Sequence, residues 1–126
     1  MMMILSIAVG GAVGAVGRYL TMVGFGHWVG HSFPYGTLVI NIIGSLILGA
    51  VIEVIALTWS PSEALRSFLV IGLLGSFTTF STFSLDAMTL IERGEFLSAA
   101  SYIIASVVVS VAALFFGMII FRHLLA

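Results

Sequence analysis

The chain has 126 residues, 61% of them hydrophobic and 7% charged, with a mean hydropathy of +1.29 and a formal net charge of −1. A soluble domain carries about 25% charged residues, so there is too little polar surface to cover a globule in water, and lipid is the expected surround. Four arginines, five carboxylates and no lysine exclude a basic nucleic-acid footprint and a polybasic anchor, and the lack of cysteine excludes disulfides, thiolate metal sites and cysteine nucleophiles.

A helix crossing a hydrocarbon core of about 30 Å needs roughly 20 apolar residues, and four segments are long enough. The first covers about 2–24 with one charge, Arg18. It opens Met-Met-Met-Ile-Leu without the basic region of a cleaved signal, so a retained helix is expected. Gly10 and Gly14 have the spacing that lets backbones approach closely. A nucleotide-binding glycine loop is the competing match, but it needs a preceding strand that is missing. Arg18 is either a helix-end residue snorkelling to water or a cation at an aqueous vestibule. A connection follows at about 25–34, with His27, Trp28, His31 and a Phe-Pro-Tyr-Gly turn signal.

The second helix covers about 35–57, with Asn41 inside it, Gly44, Ser45 and Gly49 as small packing positions, and Glu53 near its close. Asn41 can bond between helices or point an N–H into a pore. Trp59-Ser60-Pro61-Ser62-Glu63 marks a boundary, with Pro61 read as the first helical residue after a serine cap. The third helix covers about 61–91 and turns polar in mid-membrane, ending at Glu92-Arg93-Gly94-Glu95, where Gly94 suits a helix stop. The fourth covers about 96–124 with no charge until Arg122, and its Tyr102, Ser106 and Ser110 are spaced by four, one stripe on one face. Such serines either bond their own i−4 carbonyls or line a polar path. Glu53 and Asp86 read as helix-end or vestibule groups. With short links and no domain boundary, residues 1–126 form one four-helix unit with antiparallel neighbours, too small to enclose a wide pore alone, so an oligomer is expected.

Residues 75–84 read Gly-Ser-Phe-Thr-Thr-Phe-Ser-Thr-Phe-Ser, six hydroxyl residues and three phenylalanines in ten positions. That is poor continuous helix, and a break near 75–79 is expected. Unwound backbone in a membrane persists only when buried in protein or lining a cavity, where freed carbonyls can hold a cation. Phe80 and Phe83 are three apart and share a face. Their ring edges are positive, so with Ser81, Thr82 and an Asn41 N–H they suit a weak, multi-contact anion path. The arginines divide two and two between the membrane sides, Arg66 and Arg122 against Arg18 and Arg93. The positive-inside rule then gives no orientation. Either one side wins for other reasons, or copies insert both ways and pair.

Gly-Arg-Tyr-Leu at 17–20, Gly-Thr-Leu-Val-Ile-Asn-Ile-Ile-Gly at 36–44, the 75–84 string and Glu-Arg-Gly at 92–94 resemble the Fluc/CrcB fluoride channels over essentially the whole chain. The resemblance implies an all-α membrane protein of four transmembrane helices with a broken third helix, assembled as an antiparallel dual-topology homodimer with two pores. It implies passive passage of fluoride with exclusion of chloride, protecting a prokaryote at its cytoplasmic (inner) membrane. It also implies a structural sodium ion at the dimer interface, held by the backbone carbonyls of Gly75 and Thr78. By the same match Phe80, Phe83 and Asn41 line the pore, Tyr102, Ser106 and Ser110 form the polar track, Arg18 lies at the vestibule, and Asp86 is the acidic residue after the motif. Ser76-Phe77 departs from the small residues usual there.

Other classes fit less well. A proton-coupled exporter like the small multidrug resistance transporters needs a carboxylate deep in its first helix, and none is present. A membrane subunit that only packs against partners leaves the hydroxyl-rich segment unexplained. An enzyme is least supported, with no Ser/His/Asp or metal-ligand cluster and with His27, His31 and His123 away from the bundle centre.

Overall fold

The apolar runs fold as helices because a helix satisfies its own backbone where lipid offers no hydrogen bonds. The computed structural model describes the backbone of residues 1–29 and 33–126, and the side chains of 1–24 and 33–126. His27, Trp28 and His31 fall outside the described side chains. The order is α1 (Met2–Val29), α2 (Tyr35–Leu57), α3 (Glu63–Ser67), a π-helical segment (Phe68–Leu74), α4 (Gly75–Phe77), α5 (Phe80–Glu92) and α6 (Phe96–Leu125). Among the described residues four stretches are long and apolar enough to span a membrane: Met2–Gly24, Tyr35–Leu57, Glu63–Glu92 and Phe96–Leu125.

Two boundaries differ from the sequence reading. Helix α1 continues past Gly24 to Val29, since glycine only weakens a helix and no proline intervenes before Pro34. The third span starts at Glu63, not Pro61: the cap is Ser62, whose Oγ accepts from the Leu65 N–H at 3.2 Å. Its far end behaves as read. Gly94 takes φ +80°, and its N–H donates to the Ile91 carbonyl at 3.0 Å.

Glycines decide which helices meet. A Cβ on Gly14 would strike the Leu73 carbonyl oxygen, and one on Gly10 would lie 2.5 Å from that of Phe68. Helix α1 therefore lies backbone against backbone on the first half of the third span. Gly49 does the same against Leu114, and Gly117 against Leu46, so α2 lies on α6. Both pairs run parallel. Gly10 meets Phe68 and Gly14 meets Phe77, while Leu38 packs on the cluster that holds Ala99 and Tyr102, and Glu53 bonds Arg122. Parallel pairing of alternate spans is what four successive crossings with short links require.

The interior is small. Its aromatic part is Phe83, Ala87, Leu90, Ala99 and Tyr102, with Phe33 and Leu38 packed against it. It lies where α5 crosses α6 near the start of α2.

Candidate functional site

Thr78 and Thr79 stand between α4 and α5 in extended conformation, with φ/ψ of −79°/159° and −152°/124°. Both are β-branched and suit extended backbone. Gly75 itself is helical, at −62°/−33°, so the departure from helix covers two residues and does not begin at the glycine. Asn41 on α2 reaches across. Its Nδ2 donates to the Thr79 carbonyl at 3.0 Å, and its Oδ1 accepts the Thr79 N–H at 2.8 Å. The Thr79 Oγ1 caps α5 by accepting the Thr82 N–H at 3.2 Å. In a continuous helix the Thr79 and Thr82 N–H groups would donate to the carbonyls of Gly75 and Thr78. Both donors are engaged elsewhere.

Just beyond, Phe80 is 76% exposed on the subunit and Phe83 only 8%. Their ring centroids are 5.4 Å apart. Phe83 meets Tyr102 at 5.2 Å, and Tyr102 takes Phe33 edge-on at 5.6 Å and 87°. Phe33 touches Tyr35 at 4.7 Å. Rings from α5, α6 and the start of α2 thus form one contiguous series. The fully buried Tyr102 donates its hydroxyl to Asp86 Oδ2 at 3.1 Å. Phe33 was read in the sequence only as part of a turn signal. Its place in the series carries no local signature, because its neighbours come from distant segments.

Several hydroxyls of the spans bond their own helix. Thr21, Thr78, Ser84 and Thr89 each donate to the i−4 carbonyl, at 2.8 to 3.1 Å. Ser106 and Ser110 do not. Among the described residues their Oγ atoms are buried without a hydrogen-bond partner, in helical register with Tyr102. A buried hydroxyl left unpaired is costly, so these two are oriented toward something other than their own backbone. Ser81 is exposed beside Thr79, Oγ to Oγ1 at 3.4 Å, and Thr82 is half-buried. Arg18 is half-buried on α1, and no hydrogen bond or ion pair among the described residues joins it to the ring series.

Glu53 is not a free helix-end group. It is buried and receives the Arg122 Nε and Nη2 at 3.1 and 2.8 Å. The pair neutralises a carboxylate in a low-dielectric setting and ties α2 to α6 at their ends. Sequence spacing could not show it, since the partners are 69 residues apart. Among the described residues no three His, Cys, Asp or Glu side chains gather as a metal cluster.

The sequence matches the model of the family described as CrcB-like protein, Camphor Resistance (CrcB), over residues 5–118. A protein of Nitrobacter winogradskyi named fluoride-specific ion channel FluC is 56% identical over 119 residues, 94% of each chain. One of Rhodospirillum centenum with the same name is 48% identical over 126 residues and the full length of both. The fluoride-specific ion channel FluC 1 of Nitrobacter hamburgensis is 53% identical over 121 residues, 96% of each. With most of its length matched and over half its residues shared with a relative of equal extent, the chain belongs to the CrcB family.

Proposed function

We propose that the chain is the subunit of a fluoride-selective channel in the cytoplasmic membrane of a prokaryote, carrying fluoride passively and limiting its toxicity. The observation that carries the reading is the series Phe80, Phe83, Tyr102 placed in register with two buried, unpartnered hydroxyls, Ser106 and Ser110. The printed names of the relatives supply the identity of the ion.

The mechanism follows from the donors. A small anion leaving water must exchange its hydration shell for O–H groups and positive ring edges. Each contact is weak, and the succession lets the ion enter without being trapped. Ser106 and Ser110 have hydroxyls available for this, whereas the hydroxyls of Ser84 and Thr89 are already committed to their backbones. Among the described residues no fixed cation stands within the ring series to bind the anion tightly. The reading assigns binding and orientation to these side chains and no covalent step, so it is not enzymatic.

Two copies in antiparallel, dual-topology arrangement would form the channel as a homodimer with two pores. Three features support this: the balanced arginines, the small interior of one subunit, and the 76% exposure of Phe80, which a path wall or partner would cover. A structural sodium ion fits the residues present. Gly75 and Thr78 offer hard carbonyl oxygens whose helical donors are engaged by Asn41 and Thr79, and such freed carbonyls suit an alkali cation. Sodium would supply charge to hold the two third spans together. Residues 78–79, just past the Gly75–Phe77 turn, are then the broken part of the third helix, within a single domain of residues 1–126.

The test is anion efflux from proteoliposomes. Electrogenic fluoride efflux without proton coupling and with negligible chloride efflux is expected. Equal rates for the two anions would sink the selectivity claim, and proton-driven export of organic cations would favour the exporter class instead.

A further inference from the structure

Asn41 was read in the sequence either as a residue bonding between helices or as an N–H donor for an anion. The geometry points to another task. Its amide spends both of its ends on one residue, Thr79, accepting the N–H at 2.8 Å and donating to the carbonyl at 3.0 Å. Two bonds between one side chain and one residue's backbone fix both the position and the rotation of that peptide segment.

The consequence falls on Gly75. In a helix the Thr79 N–H closes the turn onto the Gly75 carbonyl. Asn41 Oδ1 takes that N–H instead. The same face of α2 accommodates the displaced chain three residues further on. At Gly44 a Cβ would strike the Thr78 Cγ2 and lie 3.3 Å from the Phe77 ring. Asn41 therefore supplies the bond and Gly44 the space. The second carbonyl is freed by a different route, the Thr79 Oγ1 capping the Thr82 N–H. Without Asn41 the cheapest repair of a lipid-embedded turn is the helical bond, because an unpaired buried N–H or C=O costs free energy.

We propose that Asn41 is a positioning residue for a monovalent-cation site: by holding the Thr79 N–H, it keeps the Gly75 carbonyl out of the helix and available to the cation. The inference rests on the reading that the Gly75 and Thr78 carbonyls hold sodium, and it concerns α2, which supplies no ligand.

The test compares thermal unfolding of the purified protein in sodium chloride with that in N-methylglucamine chloride at equal ionic strength. For the unaltered chain, sodium at a tenfold or larger excess over its dissociation constant is expected to raise Tm by on the order of 5 °C. N41A is expected to lose most of that difference. If N41A does not assemble, N41L keeps the side-chain volume and carries the same comparison. A full sodium shift in N41A or N41L overturns the role given to Asn41 while leaving the sodium reading standing. No sodium shift in the unaltered chain removes the sodium reading, and the proposal with it. Amide hydrogen exchange at Thr79 supplies an independent check on the unaltered chain. Protection in both salts is expected; protection only in sodium means that the cation, not Asn41, holds the segment, and the proposal fails.

Discussion

The two halves of the third span are built on opposite principles. Up to Phe77 it is locked: Gly10, Gly14 and Gly72 bring its backbone against that of α1, so the contact is main chain on main chain. From Phe80 onward α5 packs on α6 and α2 through large side chains such as Phe83 and Leu90, and it leaves Phe80, Leu85 and Met88 exposed. The first half uses small residues to remove freedom. The second uses large and polar ones to present a surface. Between them stand two extended threonines, the second held by Asn41. A chain this small can devote one stretch of helix to rigidity and the next to chemistry because the joint between them is pinned from outside.

The locked half should break hardest. Gly14→Val places side-chain atoms where the Leu73 carbonyl sits, and backbone cannot yield as a flexible side chain can. Overpacking of that kind costs on the order of 3 kcal/mol or more, and extraction in mild detergent should yield aggregate. Gly24→Val, in the same helix, meets nothing within 4 Å among the described residues and should extract as the unaltered protein does. Equal behaviour of the two would mean that close approach to the third span is not what holds α1.

The α2–α6 pair offers an asymmetric test at its ends. Glu53 is the buried partner, with 5% of its side chain exposed, while the Arg122 side chain is 51% exposed. Arg122→Leu strands a buried carboxylate, which should cost about 2 kcal/mol, less than a fully buried pair because water already screens the guanidinium. Glu53→Gln leaves an amide oxygen for the guanidinium and releases the remaining charge toward water, at about 1 kcal/mol or less. Reversible unfolding in denaturant ranks the two; the opposite order would show that the arginine is the less tolerant member.

In the presenting half, stability and transport should separate. Phe83→Ile removes ring contacts to both Phe80 and Tyr102 and should cost about 1 kcal/mol. Phe80→Ile, at an exposed site, should cost under about 0.5 kcal/mol. Both should lower fluoride efflux by on the order of tenfold, because an aliphatic side chain has no positive edge. Unchanged efflux in both variants would remove the ring-edge mechanism.

Much of this was open to the sequence for a physical reason: lipid makes length and apolarity decisive, so the four spans and the Gly94 stop could be read locally. What escaped was non-local. Asn41 and Thr79 are 38 residues apart, and Glu53 and Arg122 69. Each pairing depends on how helices face one another, which no periodicity encodes. The π-helical Phe68–Leu74 stretch also left no signature, being apolar like any span. Gly75 drew attention as a helix breaker, yet it stays helical, its absent Cβ sparing a 3.3 Å contact with the Val70 carbonyl. The extended residues are the β-branched Thr78 and Thr79, where backbone preference and the Asn41 bonds agree.

The smallest expected stability change belongs to Ser110→Ala, and it separates the two kinds of region most cleanly. The Ser110 hydroxyl is buried with no partner among the described residues. Removing an unpaired buried hydroxyl relieves a desolvation cost, so the folded subunit should be unchanged within about 0.5 kcal/mol. On the proposed path fluoride efflux should nonetheless fall, since a donor is lost where the anion would replace its water. Thr89→Ala is the control: its hydroxyl is occupied by the Leu85 carbonyl, and its loss should leave efflux intact. If Ser110→Ala conducts as well as Thr89→Ala, the unpaired serines are packing residues, and the path must be sought along another face of α6.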